Sequence, residues 1–316
     1  MKILDKASYK EVCTWIHYNA RPLDLAFWSF CFENGSREAV VDALSYYQNE
    51  DGGFGNGIEP DSWNTESSPY STLWAIGLLR RIGFPETAGM SHPIFSGILR
   101  YLESGVHSNE DGWFFTIPSN DQCPHAPWWS YGEEMNRLQS MGVTAGLCAF
   151  VLRYADQESA LYKRAFDYAG KLLKKAATSE EFGEMGAGSV GMLLADIQER
   201  GLSSAFPCSG LQERIMETVN RAIERDPQKW SLYTKTPSDF ISSPDSPFYK
   251  GNEEIVEKEL DYLIDTRNPG GVWNITWTWF NLGEKYQKEF AISENWWMAA
   301  RAIEKIAFLK SFGRIG

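Results

Sequence analysis

Hydrophobic residues recur along this chain at helical spacing, in two alternating patterns. In the first, an apolar face is backed by a charged one. The stretch 36–48, "SREAVVDALSYYQ", places Ala39, Val40, Ala43, Leu44 and Tyr47 on one face with its charges opposite. The stretch 210–225 does the same with Ile215, Met216, Val219, Ala222 and Ile223. Similar patterns near 6–18, 92–105, 158–176 and 252–265 bring the expectation to six helices with one wet face.

The second pattern is apolar nearly all round. It covers 22–32 ("PLDLAFWSFCF"), 68–79, 138–154 ("LQSMGVTAGLCAFVLRY"), 186–197 and 295–309. A helix apolar on every side has to be buried on every side. The slot for a sixth such helix is 227–250, which proline interrupts. The alternation predicts an all-α fold, a six-over-six α/α toroid with an inner ring of helices inside an outer one. Neither ring can bury its apolar faces alone, so 1–316 is expected to form a single domain. No Pro/Ser-rich linker divides it.

Composition sharpens this picture. At 43% hydrophobic and 23% charged, the chain has the make-up of a soluble globular protein with a large core. Aromatic residues reach 14%, and many stand beside glycine or proline rather than inside helical runs. Large rigid rings in such places suit the lining of a cavity. A formal charge of −12, dispersed along the chain, argues against a nucleic-acid partner, whose binding rests on Lys and Arg. Five cysteines with no CxxC pair read as reduced thiols. The N-terminal stretch lacks the apolar run of a secretory signal, and no stretch reaches the ~18 apolar residues of a membrane span. The expectation is a cytoplasmic protein with a small-molecule substrate and no transmembrane segment. Nothing in the pattern fixes an oligomeric state.

Glycine-bearing acidic turns recur between the two kinds of helix: "QNEDGGFG" (48–55), "SNEDGWFF" (108–115), "SEEFGEMGAG" (179–188) and "TRNPGGVW" (266–273). Recurrence at this length is the signature of a circular or solenoid array. Their glycines are expected to be left-handed helix C-caps. Gln48–Gly55 closely resembles the Q-x-x-D-G-[GS]-[FW]-G turn of the QW-type repeats in the terpenoid cyclase and protein prenyltransferase superfamily. Asn109–Trp113 and Asn268–Trp273 look like degenerate copies. The resemblance implies the six-over-six toroid, one barrel long, and chemistry on an isoprenoid.

Two chemistries of that superfamily can be checked against these residues. Proton-initiated cyclisation uses a D-x-D-D acid, and the nearest equivalent here is Glu59 and Asp61 in "EPD". The prenyltransferase zinc site uses a D-x-C pair and a distant histidine. Asp121, Cys123 and His125 offer the residue types, but in a loop, and His17, His92 and His107 all precede them. The expectation is therefore no metal and no cofactor, with zinc disfavoured and magnesium left open. The cluster of Arg and Lys that would clamp a diphosphate is also missing.

In a toroid, the loops leading into inner helices open onto one end of the cavity, and three of them are long and well furnished. The first carries Glu59, Asp61, Trp63, Asn64 and Glu66. The second carries His125, Trp128, Trp129, Tyr131, Glu133 and Glu134. The third carries Trp273, Asn274, Trp277, Trp279 and Asn281, and Glu294, Trp296 and Trp297 follow at the last inner helix. Glu59, Asp61 and His125 are the catalytic candidates, because paired carboxyls and an imidazole can exchange protons near neutral pH. The others are candidates for substrate binding. Each also has a plainer reading: the acids beside helix N-termini or in Asx turns, His125 as a satisfied loop histidine, any one Trp as core.

Three functions remain open. In the first, aromatic faces stabilise a carbocation while Glu59 or Asp61 moves a proton on an isoprenoid. In the second, Trp faces stack on sugar rings while two carboxylates cleave a glycosidic bond. In the third, the toroid binds a ligand without catalysis.

Overall fold

A computed structural model of the chain describes residues 1–84, 92–179, 182–183, 185–280 and 285–316. They are mainly helical, and each of the eleven segments read as a helix is one. In chain order these are α1 (Lys6–Asn19), α2 (Pro22–Phe32), α3 (Arg37–Ser45), α4 (Pro69–Arg81), α5 (Pro93–Ser104) and α6 (Glu133–Tyr154). Then come α7 (Ala160–Ala176), α8 (Gly186–Glu199), α9 (Leu211–Ala222), α10 (Glu253–Asp265) and α11 (Gln287–Ser311). Starts are set by local chemistry. Asp5, Ser68 and Ser159 accept backbone N–H bonds at the N-caps of α1, α4 and α7, and proline opens α2, α4 and α5. The slot 227–250 holds no α-helix, only single 3₁₀ turns at Pro227–Lys229 and Pro237–Asp239. Four prolines there remove helix donors and clash with the preceding turn. Among the described residues the named strands are β1 (Ser108–Asn109) and β2 (Gly112–Trp113), an antiparallel pair.

The described residues group into two compact units, Met1–Ala43 with Val219–Gly316, and Leu44–Thr218. In the first, α1 and α2 pack on α11 and on each other, while the two 3₁₀ turns pack on α10. The chain ends meet within it. Leu4 bridges Ile315, and the buried Arg314 bonds Glu257, Asp261 and the Lys2 carbonyl.

In the second unit α6 is the axis, packing on α4, α7, α8 and β2. Every residue from Met141 to Leu152 is buried, as its all-round apolarity requires. Buried Asp196 on α8 accepts from Arg80 of α4 and Arg153 of α6, tying the three helices. Four of the five apolar segments depart from the expectation of burial on every side: α2 is half-buried at Leu25, Ala26, Ser29 and Phe30, and α11 at Trp296, Trp297 and Ala300. On α4, Tyr70, Trp74 and Gly77 form a half-buried stripe at i, i+4 and i+7. On α8, Gly188, Met192 and Ala195 form an exposed stripe at the same spacing. The two helices touch where the Arg80 guanidinium meets the Met192 sulfur.

The one-sided helices bury the expected faces with small shifts. In α3 Val40, Val41 and Leu44 are buried while Ala39 is exposed; in the α9 region the buried set is Leu211, Ile215, Val219 and Ile223.

Three of the four recurring glycine turns are hairpin turns, not the helix C-caps expected. Asn49 N–H bonds the Gly53 carbonyl and Gly52 N–H bonds the Asn49 carbonyl; Asn268, Gly271 and Val272 repeat both bonds. In the β1–β2 hairpin Asn109 faces Gly112. Gly52, Gly112 and Gly271 have φ of 94°, 146° and 87°. Each turn is followed by a buried aromatic anchor: Phe54, Trp113 and Trp273. Left-handed glycines close helices elsewhere: Gly105 caps α5, and Gly83, Gly201 and Gly313 directly follow the C-caps of α4, α8 and α11. In 179–188, Gly183 also has positive φ, while 180, 181 and 184 lie outside the described residues.

Gly52 illustrates why the motif needs glycine. A Cβ there would stand 2.1 Å from the Gly97 carbonyl oxygen of α5. Gln48 completes the joint, its amide donating to the carbonyls of Gly52 (2.9 Å) and Ile94 (3.1 Å). Gly112 meets Thr144 of α6 just as closely, 2.2 Å from a built Cβ to Oγ1. Gly77, by contrast, sits within α4 with nothing within 4 Å of a built Cβ. Urea unfolding should show Gly52→Ala less stable by about 2 kcal/mol or more. Gly77→Ala should be more stable by about 0.5–1 kcal/mol through helix propensity.

Candidate functional site

The hairpin at Gly52 leads into a tightly folded loop. Ile58 N–H bonds the Gly55 carbonyl, Gly57 N–H the Asn64 carbonyl, and Ser62 N–H the Glu59 carbonyl. This places Glu59 and Asp61 in the interior, each only 2% exposed. Neither caps α4, because that work is done by Ser68. The Asx turn of the hairpin belongs to Asp51, whose carboxylate accepts the Gly53 N–H and the Ser67 hydroxyl. Two buried acids in one short loop are unusual, since charge is costly to withdraw from water.

A second loop is sewn to the first. Trp63 N–H bonds the Pro124 carbonyl (2.9 Å), Ala126 N–H bonds the Asp61 carbonyl (2.8 Å), and Ser62 faces His125. Buried Asn64 donates to Ser119 Oγ and Asn120 Oδ1, both at 2.8 Å, and accepts from Glu66 N–H. Asn120 passes the connection on to the Trp129 carbonyl. His125 Nδ1 donates to the Cys123 carbonyl at 2.7 Å, leaving Nε2 to the Ser130 hydroxyl at 3.0 Å, with Asp121 at 3.7 Å. Asn64 is thus a fastener, and both ring nitrogens of His125 are engaged inside its own loop. Trp63 is half-buried with its indole N–H on the Pro60 carbonyl.

Three rings pack beside this seam. Trp129 stacks on Phe115 at 4.7 Å, and Tyr70 meets Trp129 (4.5 Å) and Phe115 (5.4 Å) edge-on. The Trp129 indole N–H is buried without a protein acceptor among the described residues. Trp128 is half-buried. Through Tyr70 the seam runs on to the half-open stripe of α4.

Tyr131 and Glu133, which the sequence grouped with these residues, line a different feature. They belong to a cleft of about 460 Å³ between the β1–β2 hairpin, α6 and α7. Glu134 is exposed on the first turn of α6.

The remaining sequence candidates fall in the other unit. Trp273 is core, its indole N–H on the Leu263 carbonyl, and Trp279 is also buried. Asn274 is exposed and accepts from Asn268. Trp277 meets Trp297 edge-on at 5.3 Å and Tyr233 at 6.1 Å, with the Arg301 guanidinium 6.0 Å from its ring. Trp296 lies 5.4 Å from the guanidinium of buried Arg21, which is paired with buried Asp24 at 2.6 Å. Glu294 is half-buried on α11, and Asn281 lies outside the described residues.

Residue-type reasoning missed the charged network behind Trp277. Arg301 bonds Glu304 and reaches Asp239, while buried Glu259 accepts from the Ser238 N–H and hydroxyl. The missing signal was positional: Tyr233, Ser238 and Asp239 come from the proline-broken slot with no periodicity to place them. Burial pushes the Glu259 carboxyl up, against the Lys305 charge and the bonds from Ser238 and Thr236. It likewise pushes Lys305 down, assisted by Arg301.

Among the described residues no three His, Cys, Asp or Glu side chains are grouped as a metal site requires, Asp121, Cys123 and His125 included. No two cysteines form a disulfide. Among the described residues no helix is long and apolar enough to cross a membrane. Compared with protein-family models, curated proteins and solved structures, the chain matches none of them.

Two outcomes follow from these contacts. Asn64→Ala strands Ser119 and Asn120 and should lower stability by about 1–3 kcal/mol in urea titrations. The raised carboxyl of Glu259 contributes stability that is fully present below its ordinary value of 4.5 and is lost as pH rises through its folded value. Unfolding midpoints should therefore fall less steeply above pH 4.5 in Glu259→Gln than in the parent.

Proposed function

We propose that this chain is an isoprenoid-converting enzyme of the terpenoid cyclase and prenyltransferase kind, with its helices arranged as an α/α toroid in which the 3₁₀ turns of 227–250 take the place of a sixth inner helix. The observation that carries the reading is the burial of Glu59 and Asp61 on a loop fixed at both ends, immediately after the QW-like turn. Groups so costly to bury are concentrated at functional sites. The path from Asp61 through Ala126 and Trp129 to Tyr70 continues into the stripe of Tyr70, Trp74 and Gly77. An apolar, ring-bearing surface beside protected acids suits a hydrocarbon better than a hydrophilic substrate.

In this reading one carboxyl donates its proton to an alkene carbon of the substrate. The resulting carbocation is held against aromatic faces, which attract cations by their negative quadrupole. The other carboxylate then removes a proton, restoring the alkene. The reaction is an isomerisation or cyclisation with no net gain or loss of atoms and needs no oxidant.

The test is incubation of the purified chain with farnesyl diphosphate, geranylgeranyl diphosphate and squalene, with products read by gas chromatography and mass spectrometry. Asp61→Asn and Glu59→Gln should each cut turnover by about a hundredfold or more, with circular dichroism unchanged. Undiminished turnover in both variants overturns the acid–base assignment. Turnover of aryl glycosides with none of the isoprenoids overturns the substrate class and favours glycoside cleavage by paired carboxylates.

A further inference from the structure

The cleft of about 460 Å³ in the Leu44–Thr218 unit is separate from the buried acids, since neither Glu59 nor Asp61 lines it. Its volume falls within the 300–1,000 Å³ usual for a small-molecule site. Its deepest polar groups are occupied by structure. Asn136 accepts the N–H groups of Phe115 and Thr116, Ser140 accepts that of Phe115, and Thr144 that of Trp113. What remains for a ligand is carried on the walls.

Charges of both signs line it. On α6, Glu133 and Arg137 stand four residues apart, Arg137 also reaching Glu134 at 3.9 Å, with the ring of Tyr131, 39% exposed, just before them. On the other elements, Asp111 of the hairpin and Lys171 and Lys175 of α7 line the cleft; the Lys171 ammonium is held chiefly by Asp167 at 2.9 Å, bonds the Glu110 carbonyl, and also feels Asp111. With two carboxylates, Asp111 and Glu133, interspersed among three cations, Arg137, Lys171 and Lys175, a ligand of one sign meets repulsion as well as attraction. A hydroxyl, which donates to a carboxylate while accepting from a guanidinium or ammonium, fits each pair. An apolar hydrocarbon would strand these groups unpaired.

We propose that this cleft binds a neutral polyhydroxylated ring, a mono- or disaccharide unit. Glu133 with Arg137 and Asp111 with Lys171 bond its hydroxyls, and Tyr131 lies against a ring face. The site is independent of the isoprenoid reading and uses none of its acids.

The experiment is calorimetric titration of the full chain with cellobiose, maltose and xylobiose, with inorganic phosphate as the charged control. At least one sugar should bind saturably and more tightly than phosphate. Tyr131→Ala and Asp111→Asn should each weaken that sugar by about tenfold or more, with unchanged circular dichroism, while Glu59→Gln leaves it unaltered. The proposal is overturned if none of the three sugars binds, or if phosphate binds more tightly than all of them. It is equally overturned if Tyr131→Ala and Asp111→Asn bind as the parent does, or if Glu59→Gln is the variant that loses binding.

Discussion

The close approach of the Gly52 turn to α5 constrains much of the Leu44–Thr218 unit. No side chain fits between Gly52 and the Gly97 carbonyl, and no residue but glycine readily holds a φ of 94° there. With the backbones in contact, Gln48 can span both carbonyls and Phe54 drops fully into the core. The loop that follows inherits a fixed starting point, and its far end is fixed by Ser68 at the head of α4. Within it, 57–61 are buried where the chain is sewn to 124–126, so Glu59 and Asp61 lie inside while Asn56, Thr65 and Glu66 of the same loop are exposed.

A second theme is the treatment of buried charge. Asp196 lies between two arginines, Asp24 lies against Arg21, and Glu259 has two Ser238 donors and the field of Lys305. Even so, burial outweighs the partner at Asp24 and at Glu259, and both carboxyls are pushed up from their ordinary values. Such groups add less to stability than their contacts imply, because desolvation offsets the attraction. Their contribution is to fix which helices meet and in what register. Asp196 does this for α4, α6 and α8. Glu259 does it for the proline-broken segment, which has no helical ladder of its own.

Much of the fold was legible in the sequence because helix periodicity is a local property. Every segment with a 3.6-residue pattern became a helix, and the proline-interrupted 227–250 did not. Where the reading departed from the structure, the missing information was non-local. Glycines that look like C-caps proved to close hairpins, since the contact that decides between them, with Gly97 or Thr144, lies far along the chain. Ala39 and Val41 exchanged places for a similar reason: neighbouring helices choose which part of a broad apolar stripe is covered. For the site, acids, tryptophans and asparagines could be listed, but residues that look alike in sequence took different work. Asn64 became a fastener, Trp273 a core anchor, and Tyr131 the rim of a separate cleft.

By itself, then, the sequence determined the helices, their two kinds, and the glycine turns between them, because each depends on residues within a turn or two of one another. Tertiary structure alone decided that Glu59 and Asp61 are buried and that His125 is held at both nitrogens. It also decided that Glu133 lines a cleft shared with Lys171 rather than joining the buried acids. Those outcomes depend on which backbones approach closely enough to exclude water, and that distance is set by packing between segments tens of residues apart.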